Sequence, residues 1–195
     1  MVAATFSMED YPPHPVQSAL DRLREEDDAA LELDLKHKWI GDGGVRMLSE
    51  ALAGISTLTA LNLEANDIGP NGAIALANTL EGNTSIISLD MNNNRIGATG
   101  AAALARALET NRTITSVNLK NNRIGNAGAV ACARALTVNS TLKILRLEKN
   151  EIEAEGANSL LTALQTNTSL SVLELAGNAN EATAVGLWFV GRKRR

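Results

Sequence analysis

Pairs of apolar residues, two positions apart, recur along the chain every 28 residues. The residues after each pair are polar, and the same order returns in LNLEANDIG (61–69), LDMNNNRIG (89–97) and VNLKNNRIG (117–125). Because side chains alternate between the two faces of a strand, each pair predicts a short strand with one buried face. Further copies at 33–41, 145–153 and 173–181 extend the series, so the pattern predicts an array of like units.

A second apolar pattern, at helical spacing, follows each strand. Leucines four residues apart, as in Leu76/Leu80 and Leu104/Leu108, give a helix one buried face. Each unit is thus predicted to run strand, turn, helix, turn, with parallel strands and right-handed crossovers. No unit buries its apolar face alone, so the units must stack. Since strands pack ~4.8 Å apart and helices roughly 8–10 Å apart, the stack must curve with its strands inside.

The repeat itself carries a family resemblance. The motif L-x-L-x-x-N at this period is typical of a leucine-rich repeat. The longer pattern, which continues I-G-x-x-G-A-x-x-L-A-x-A-L, resembles the ribonuclease-inhibitor-like subclass, whose repeats are similar to those of NOD-like receptors and of the GTPase-activating protein for Ran. The resemblance implies an α/β fold, a horseshoe-shaped solenoid with parallel strands on the concave side and helices on the convex side. It says little about function.

The ends of the array predict four segments. Residues 1–13 read as a flexible leader and residues 14–32 as an amino-terminal capping helix, with Val16, Leu20 and Leu23 on one face of 16–31. The solenoid occupies 33–180, with five full repeats over 33–172 and a partial sixth. Residues 181–195 are predicted to form a carboxyl-terminal capping helix, in which Trp188 fills the last core layer, and the basic tail GRKRR.

Asparagines mark two positions of the repeat. The first set closes the L-x-L-x-x-N motif, where a buried amide can bond to turn backbone that has lost its sheet partners: Asn66, Asn94, Asn122, Asn150 and Asn178. Lys38 takes this place in the first repeat, which predicts an irregular or solvent-open turn. The second set follows the helices, where we expect left-handed backbone: Asn83, Asn111, Asn139 and Asn167. These four also form N-x-[S/T] sequons, which we interpret as a by-product of the repeat.

The sequence shows no reaction centre. His14 and His37 have no second histidine or cysteine at ligand spacing, and Cys132 takes a helix core position that predicts a buried, inert thiol. No phosphate-binding loop, paired zinc motif or nucleophile elbow is present. We therefore predict no enzyme activity, no cofactor and no bound metal.

The variable strand and turn positions form the predicted concave binding surface. The residues predicted to contact a protein partner are Asp34, Lys36, Trp39, Asn62, Glu64, Asp90, Asn92, Asn93, Arg95, Asn118, Lys120, Asn121, Arg123, Arg146, Glu148 and Lys149. Arg95 and Arg123 should lie side by side, suited either to an anionic partner group or to pairing with Asp67 and Glu151. Trp39 is either an interface hot spot or packed on the capping helix.

Composition limits the partners. The chain has 195 residues, a net charge of -4 and 3% aromatic residues, so aliphatic side chains must form the core. An acidic chain without a basic stripe disfavours nucleic acid, and no stretch is long enough to span a membrane. A single cysteine and no visible secretory signal predict the cytoplasm, or the nucleus if GRKRR is a localisation signal rather than a solvated tail. Capped ends favour a monomer.

Elimination and geometry lead to one main hypothesis, a non-catalytic protein-interaction module or scaffold. The resemblance leaves three alternatives open. These are a GTPase-regulating protein like the activating protein for Ran, a sensor like the repeats of NOD-like receptors, and an actin-linked regulator with similar repeats.

Overall fold

The computed structural model describes residues 15–25, 31–178 and 188–189. These residues form six helices and seven strands, which alternate along the chain until the last two strands. The helices are α1 (Pro15–Glu25), α2 (Gly41–Leu52), α3 (Pro70–Gly82), α4 (Gly97–Thr110), α5 (Gly125–Val138) and α6 (Ala154–Leu164). The strands are β1 (Leu31–Asp34), β2 (Leu58–Asn62), β3 (Ser88–Asp90), β4 (Ser116–Asn118), β5 (Ile144–Arg146), β6 (Val172–Glu174) and β7 (Trp188–Phe189).

The sheet follows the order of the chain from β1 to β7, and β1 to β6 are parallel. Strand partners lie 28 residues apart, as in Leu61 with Leu89 and Leu89 with Val117. The period read from the sequence is therefore the register of the sheet. This arrangement confirms the predicted fold class, a leucine-rich repeat solenoid in which strands and helices alternate.

One continuous core lies between the sheet and the helices. Both positions of each L-x-L pair are buried, as are the helix leucines at four-residue spacing. The helices approach closely because glycine and alanine lie at their contacts. A Cβ added to Gly100 in α4 would stand 2.9 Å from Ala73 Cβ of α3 and 2.6 Å from Ile96 Cγ2. Small residues at this position therefore set the distance between neighbouring repeats.

The amino-terminal cap is shorter than predicted. Helix α1 packs against α2 and buries Val16 and Leu20, two of the three predicted contact residues. Leu31, at the end of the predicted helix, lies in β1 instead, because its backbone pairs with Leu58 of β2. The leader 1–13, His14, residues 26–30 and the side chain of Leu23 lie outside the described part of the chain.

The carboxyl-terminal helix prediction is wrong at Trp188–Phe189. These residues form β7, which pairs antiparallel with β6 through Trp188 with Leu173 and Phe189 with Val172. An edge strand exposes unpaired backbone groups, and this pairing satisfies them. The local helical spacing that motivated the prediction contains no information about such a distant partner. Residues 179–187 and 190–195, with GRKRR, lie outside the described residues.

Candidate partner-binding surface

The asparagines that close each L-x-L-x-x-N motif form a buried ladder in the turns. Asn94 shows the arrangement: its Oδ1 accepts from the N–H groups of Asn66 and Ile68, each at 3.0 Å. Its Nδ2 donates to the carbonyls of Leu63 and Met91, each at 2.9 Å. Equivalent bonds to backbone groups join the other members of the ladder, Asn66, Asn122, Asn150 and Asn178. Asn66, Asn94, Asn122 and Asn150 are buried, and Asn178 is half-buried.

Each ladder asparagine serves the turn of the repeat before it, which explains Lys38. The N–H of Lys38 donates to Asn66 Oδ1 at 2.9 Å, so the first turn is closed by the second repeat. Among the described residues only helix α1 precedes the first repeat, so an amide at position 38 has no earlier turn to serve. The Lys38 side chain is exposed, and His37 and Trp39 adopt the same left-handed backbone as later turns. The first turn is thus open to solvent but not irregular.

The asparagines after the helices form a second ladder, in a conformation that differs from the prediction. Asn83, Asn111 and Asn139 have φ of -75°, -63° and -80° with extended ψ, not the left-handed backbone expected there. Their Oδ1 atoms instead cap the following turn; Asn111 Oδ1 accepts from Thr113 and Ile114 N–H, both at 2.9 Å. Because these side-chain bonds stabilise the turn, the asparagine backbone does not need to adopt the left-handed conformation there.

The amide nitrogens of Asn111, Asn139 and Asn167 in this second ladder point inward. Asn111 Nδ2 donates to the carbonyls of Leu80 and Asn83, at 2.8 and 2.9 Å, and Asn139 and Asn167 repeat the pattern. The sequons overlap with this set. A glycan is attached through the same nitrogen, which is buried and bonded in these three residues. In the folded protein, the side-chain nitrogens of these three sequons are therefore not free to accept a glycan.

The side chains at the end of each strand also cap their own turns. Asp34, Asn62, Asp90 and Asn118 each accept a bond at Oδ1 from the N–H two residues later, at 2.9–3.2 Å. Asparagine and aspartate favour this local turn. These predicted contact residues thus have a structural task, and three of the four are half-buried.

Neighbouring repeats also bond to each other across the outward side of the sheet, which we call the strand face. Asn118 Nδ2 donates to Asp90 Oδ2 at 2.9 Å, and Arg146 Nε donates to Glu174 Oε2 at 3.0 Å. Asn92, expected to be exposed, is half-buried and donates to Glu64 at 3.2 Å. The strand face is therefore a bonded polar array with few free groups.

Glu148 is the most perturbed acid of this array. Burial raises the pKa of Glu148, and the nearby Glu174 carboxylate raises it further, while its own backbone amide and Lys120 oppose the shift. Lys120 Nζ stands 3.9 Å from Glu148 Oε1, and Oε2 accepts no bond from any described residue.

The exposed side chains within two positions of the ladder position form a second surface, which we call the turn edge. Its members are Lys36, His37, Lys38, Trp39, Asp67, Asn93, Arg95, Asn121, Arg123, Lys149 and Glu151. Several have left-handed backbone without being glycine, among them Trp39 and Arg123, with φ of 55° and 56°. This backbone turns their side chains away from the core.

The two arginines of the turn edge differ in their pairing. Arg95 Nη1 bonds to Asp67 Oδ1 at 2.9 Å, as one of the two predicted interpretations required. Arg123 forms no ion pair with any described residue, Glu151 included. Trp39 is 78% exposed, so it is not packed on the capping helix. The turn edge therefore holds the groups that the fold leaves available.

One outward position of the strands was missed by the sequence analysis. It lies one residue before the first core position, and the strict alternation that identified the core residues also points to it. Its occupants are Glu32, Ala60, Ser88, Ser116, Ile144 and Val172. Ala60, Ile144 and Val172 add three half-buried apolar residues to the otherwise polar strand face.

Reactive groups are scarce on these surfaces. Cys132 is buried, as predicted, and burial raises the pKa of its thiol to about 12, which keeps it protonated. The described residues bring no three His, Cys, Asp or Glu side chains together at a spacing for a metal ion. Among the described helices, none has both the length and the hydrophobicity to cross a bilayer.

Repeat register, buried turn asparagines and alternating helices define a leucine-rich repeat solenoid. A family model for the leucine-rich repeat matches residues 54–77, 82–105, 110–131 and 138–161, so these four segments are similar to repeats of this kind. No curated protein sequence matches the chain.

Two solved structures resemble it. One is the actin-binding site 2 of leiomodin-1, with a TM-score of 0.67, 25% identity, and coverage of 80% of this chain and 91% of that one. The other is the carboxyl-terminal domain of a Caenorhabditis elegans tropomodulin, with a TM-score of 0.63, 22% identity, and coverage of 78% and 93%. The second likeness concerns the fold alone.

Proposed function

We propose that the protein is a non-catalytic interaction module that binds a protein partner with its strand face and turn edge. The observation that supports this function is the bonded polar array of the strand face, in which bonds between repeats hold side chains in place. A surface ordered in advance loses little side-chain entropy when a partner binds. The same array leaves polar groups such as the Glu148 carboxylate desolvated, which destabilises the fold. A purely structural surface would not need such groups.

The test replaces Asp90, Asn92, Lys120 and Arg146 together by alanine and compares captured partners by mass spectrometry. A matched control replaces Glu50, Asn158, Lys143 and Arg46, which are exposed and carry the same charges and one amide. We expect the first variant to lose the partners of the wild type and the second to keep them. If the strand-face variant folds and keeps the same partners, this surface is not the binding site.

Actin is the candidate partner that a specific observation favours. The resemblance to the actin-binding site 2 of leiomodin-1 extends over most of both chains at 25% identity. Co-sedimentation with actin filaments, together with native-gel binding to monomeric actin, tests this partner. Binding that the strand-face variant loses would support it, and absence of binding in both assays would exclude it. No observation favours the GTPase-regulating or sensor alternatives.

We further propose the ribonuclease-inhibitor-like subclass for the repeats, a monomer in solution and a cytoplasmic location. The 28-residue period with a full helix in each unit supports the subclass. Light scattering and imaging of the tagged protein test the other two; a dimer or a secreted product would contradict them.

A further inference from the structure

The turn edge has a charge opposite to that of the chain as a whole. It exposes five basic residues and two acidic ones, whereas the whole chain carries -4. Two of the bases are engaged, since Lys36 pairs with Asp34 at 3.6 Å and Arg95 with Asp67 at 2.9 Å. Lys38, Arg123 and Lys149 form no ion pair with a described residue. Three exposed bases without an ion pair to a described residue thus lie along this one edge.

Trp39 provides an independent observation on the same edge. Later repeats place Asp67, Arg123 and Glu151 at its position, with the same left-handed backbone. That backbone conformation costs a bulky residue about 1–3 kcal/mol, and an exposed ring buries too little surface to offset this strain. Tryptophan with 78% of its surface exposed is instead suited to anchor an apolar group of a partner.

We propose that the turn edge binds an extended acidic segment of a protein partner, with an apolar side chain of that segment packed against Trp39. Parallel strands lie ~4.8 Å apart, so Trp39 and Arg123, three repeats apart, are separated by about 14 Å along the edge. Four or five extended residues, at about 3.3 Å each, span this distance. The segment crosses the repeats, and its carboxylates meet Arg123 and Lys149 while its apolar residue meets the ring.

This inference rests on the proposed function and narrows it to a partner chemistry. The strand face holds both signs of charge in bonded pairs and so selects no net charge. The turn edge favours a negatively charged partner, because its unpaired side chains are mainly basic. Polyanions such as single-stranded nucleic acid share the negative charge, and the test separates them from an acidic peptide.

The probe is a fluorescein-labelled, glutamate-rich peptide with one leucine, followed by fluorescence anisotropy at low and physiological ionic strength. A lysine-rich peptide and an oligothymidylate serve as comparisons. The variant is Arg123→Glu/Lys149→Glu on the full chain. The control, Arg46→Glu/Lys143→Glu, makes the same change of charge at exposed positions of α2 and of the loop before β5.

We expect the turn-edge variant to lower affinity for the acidic peptide about tenfold at low salt, and the control to change it less than about twofold. Trp39→Ala should weaken the leucine-containing peptide but not a leucine-free one. Equal losses in variant and control, no binding by the wild type, or tighter binding of oligothymidylate would overturn the inference. If the strand-face variant loses captured partners while the turn-edge variant keeps them, the inference fails and the interaction module stands.

Discussion

Asn94 and Arg95 are consecutive residues in one turn, and they have opposite environments. Asn94 is buried and bonded to backbone groups of its own and the preceding repeat, whereas the Arg95 side chain is 64% exposed and touches solvent. The same contrast returns at Asn122 and Arg123. The turn therefore has two halves, a buried amide that holds the stack together and an exposed edge that the stack does not need.

The largest expected effect is the loss of a ladder amide. Asn94→Ala leaves the N–H groups of Asn66 and Ile68 and the carbonyl of Leu63 buried without their side-chain partner, while the Met91 carbonyl keeps its bond from Asn122. We expect the free energy of unfolding to fall by about 3–5 kcal/mol, measured by urea denaturation.

Asn92→Ala is the matched control, two residues away. Asn92 contributes one bond of 3.2 Å to Glu64, and its Oδ1 has no partner among the described residues. Its replacement should cost under about 1 kcal/mol. Equal urea midpoints for the two variants would show that the ladder bonds of Asn94 stabilise the fold no more than the strand-face bond of Asn92.

A second pair of variants compares two members of the same ladder. Asn139 Nδ2 donates to the carbonyls of Leu108 and Asn111, but Asn83 Nδ2 donates only to Ser85 Oγ at 3.3 Å. The Leu52 carbonyl, which is equivalent to that of Leu108, accepts from the N–H of Ile55 instead. Asn139→Ala should therefore cost about 1–2 kcal/mol more than Asn83→Ala in thermal and urea unfolding. A larger loss at Asn83 would contradict this role for the inter-repeat bonds.

Trp39→Asn tests how much the exposed half of the turn contributes to the free energy of unfolding. Asparagine tolerates left-handed backbone better than tryptophan, and the ring buries little surface. We expect stability to rise by about 0.5–1 kcal/mol while partner binding falls. A clear loss of stability would mean that the ring packs on the protein, contrary to its role as an exposed anchor.

Glu148→Gln should have the smallest effect, and one that depends on pH. A raised pKa means that the folded state holds the proton more tightly than the unfolded state, so this group favours folding below its ordinary pKa of 4.5. That advantage is lost as pH rises through the raised pKa. The variant should thus melt higher than the wild type at pH 7, with a smaller difference at pH 4. Equal differences at both pH values would exclude this explanation.

The sequence predicted the parts of the fold that repeat. The period gave the register of the sheet, and the alternation in Leu61/Leu63 and Leu89/Met91 identified core positions that are buried. It did not predict the ends, where no repeat constrains the chain. The pairing of Trp188–Phe189 with β6 depends on an edge distant in sequence, which local helical spacing does not record.

The candidate surface was less predictable for a related reason. The period shows that Asp90 and Asn118 are neighbours, but not that their side chains bond to each other instead of facing a partner. Likewise, residue type alone left two interpretations of Arg95 and Trp39, and only packing separates them. Bonds between side chains depend on rotamers and distances that a pattern of residue types does not contain.

Quantitative capture of partners tests most directly whether the exposed half of the turn serves binding. The full-length variants Arg123→Glu/Lys149→Glu and Arg46→Glu/Lys143→Glu are compared with the wild type after their urea midpoints are shown to agree. We predict that the turn-edge variant loses the proteins that the wild type captures and that the control retains them. Retention of the same proteins by both variants would contradict it.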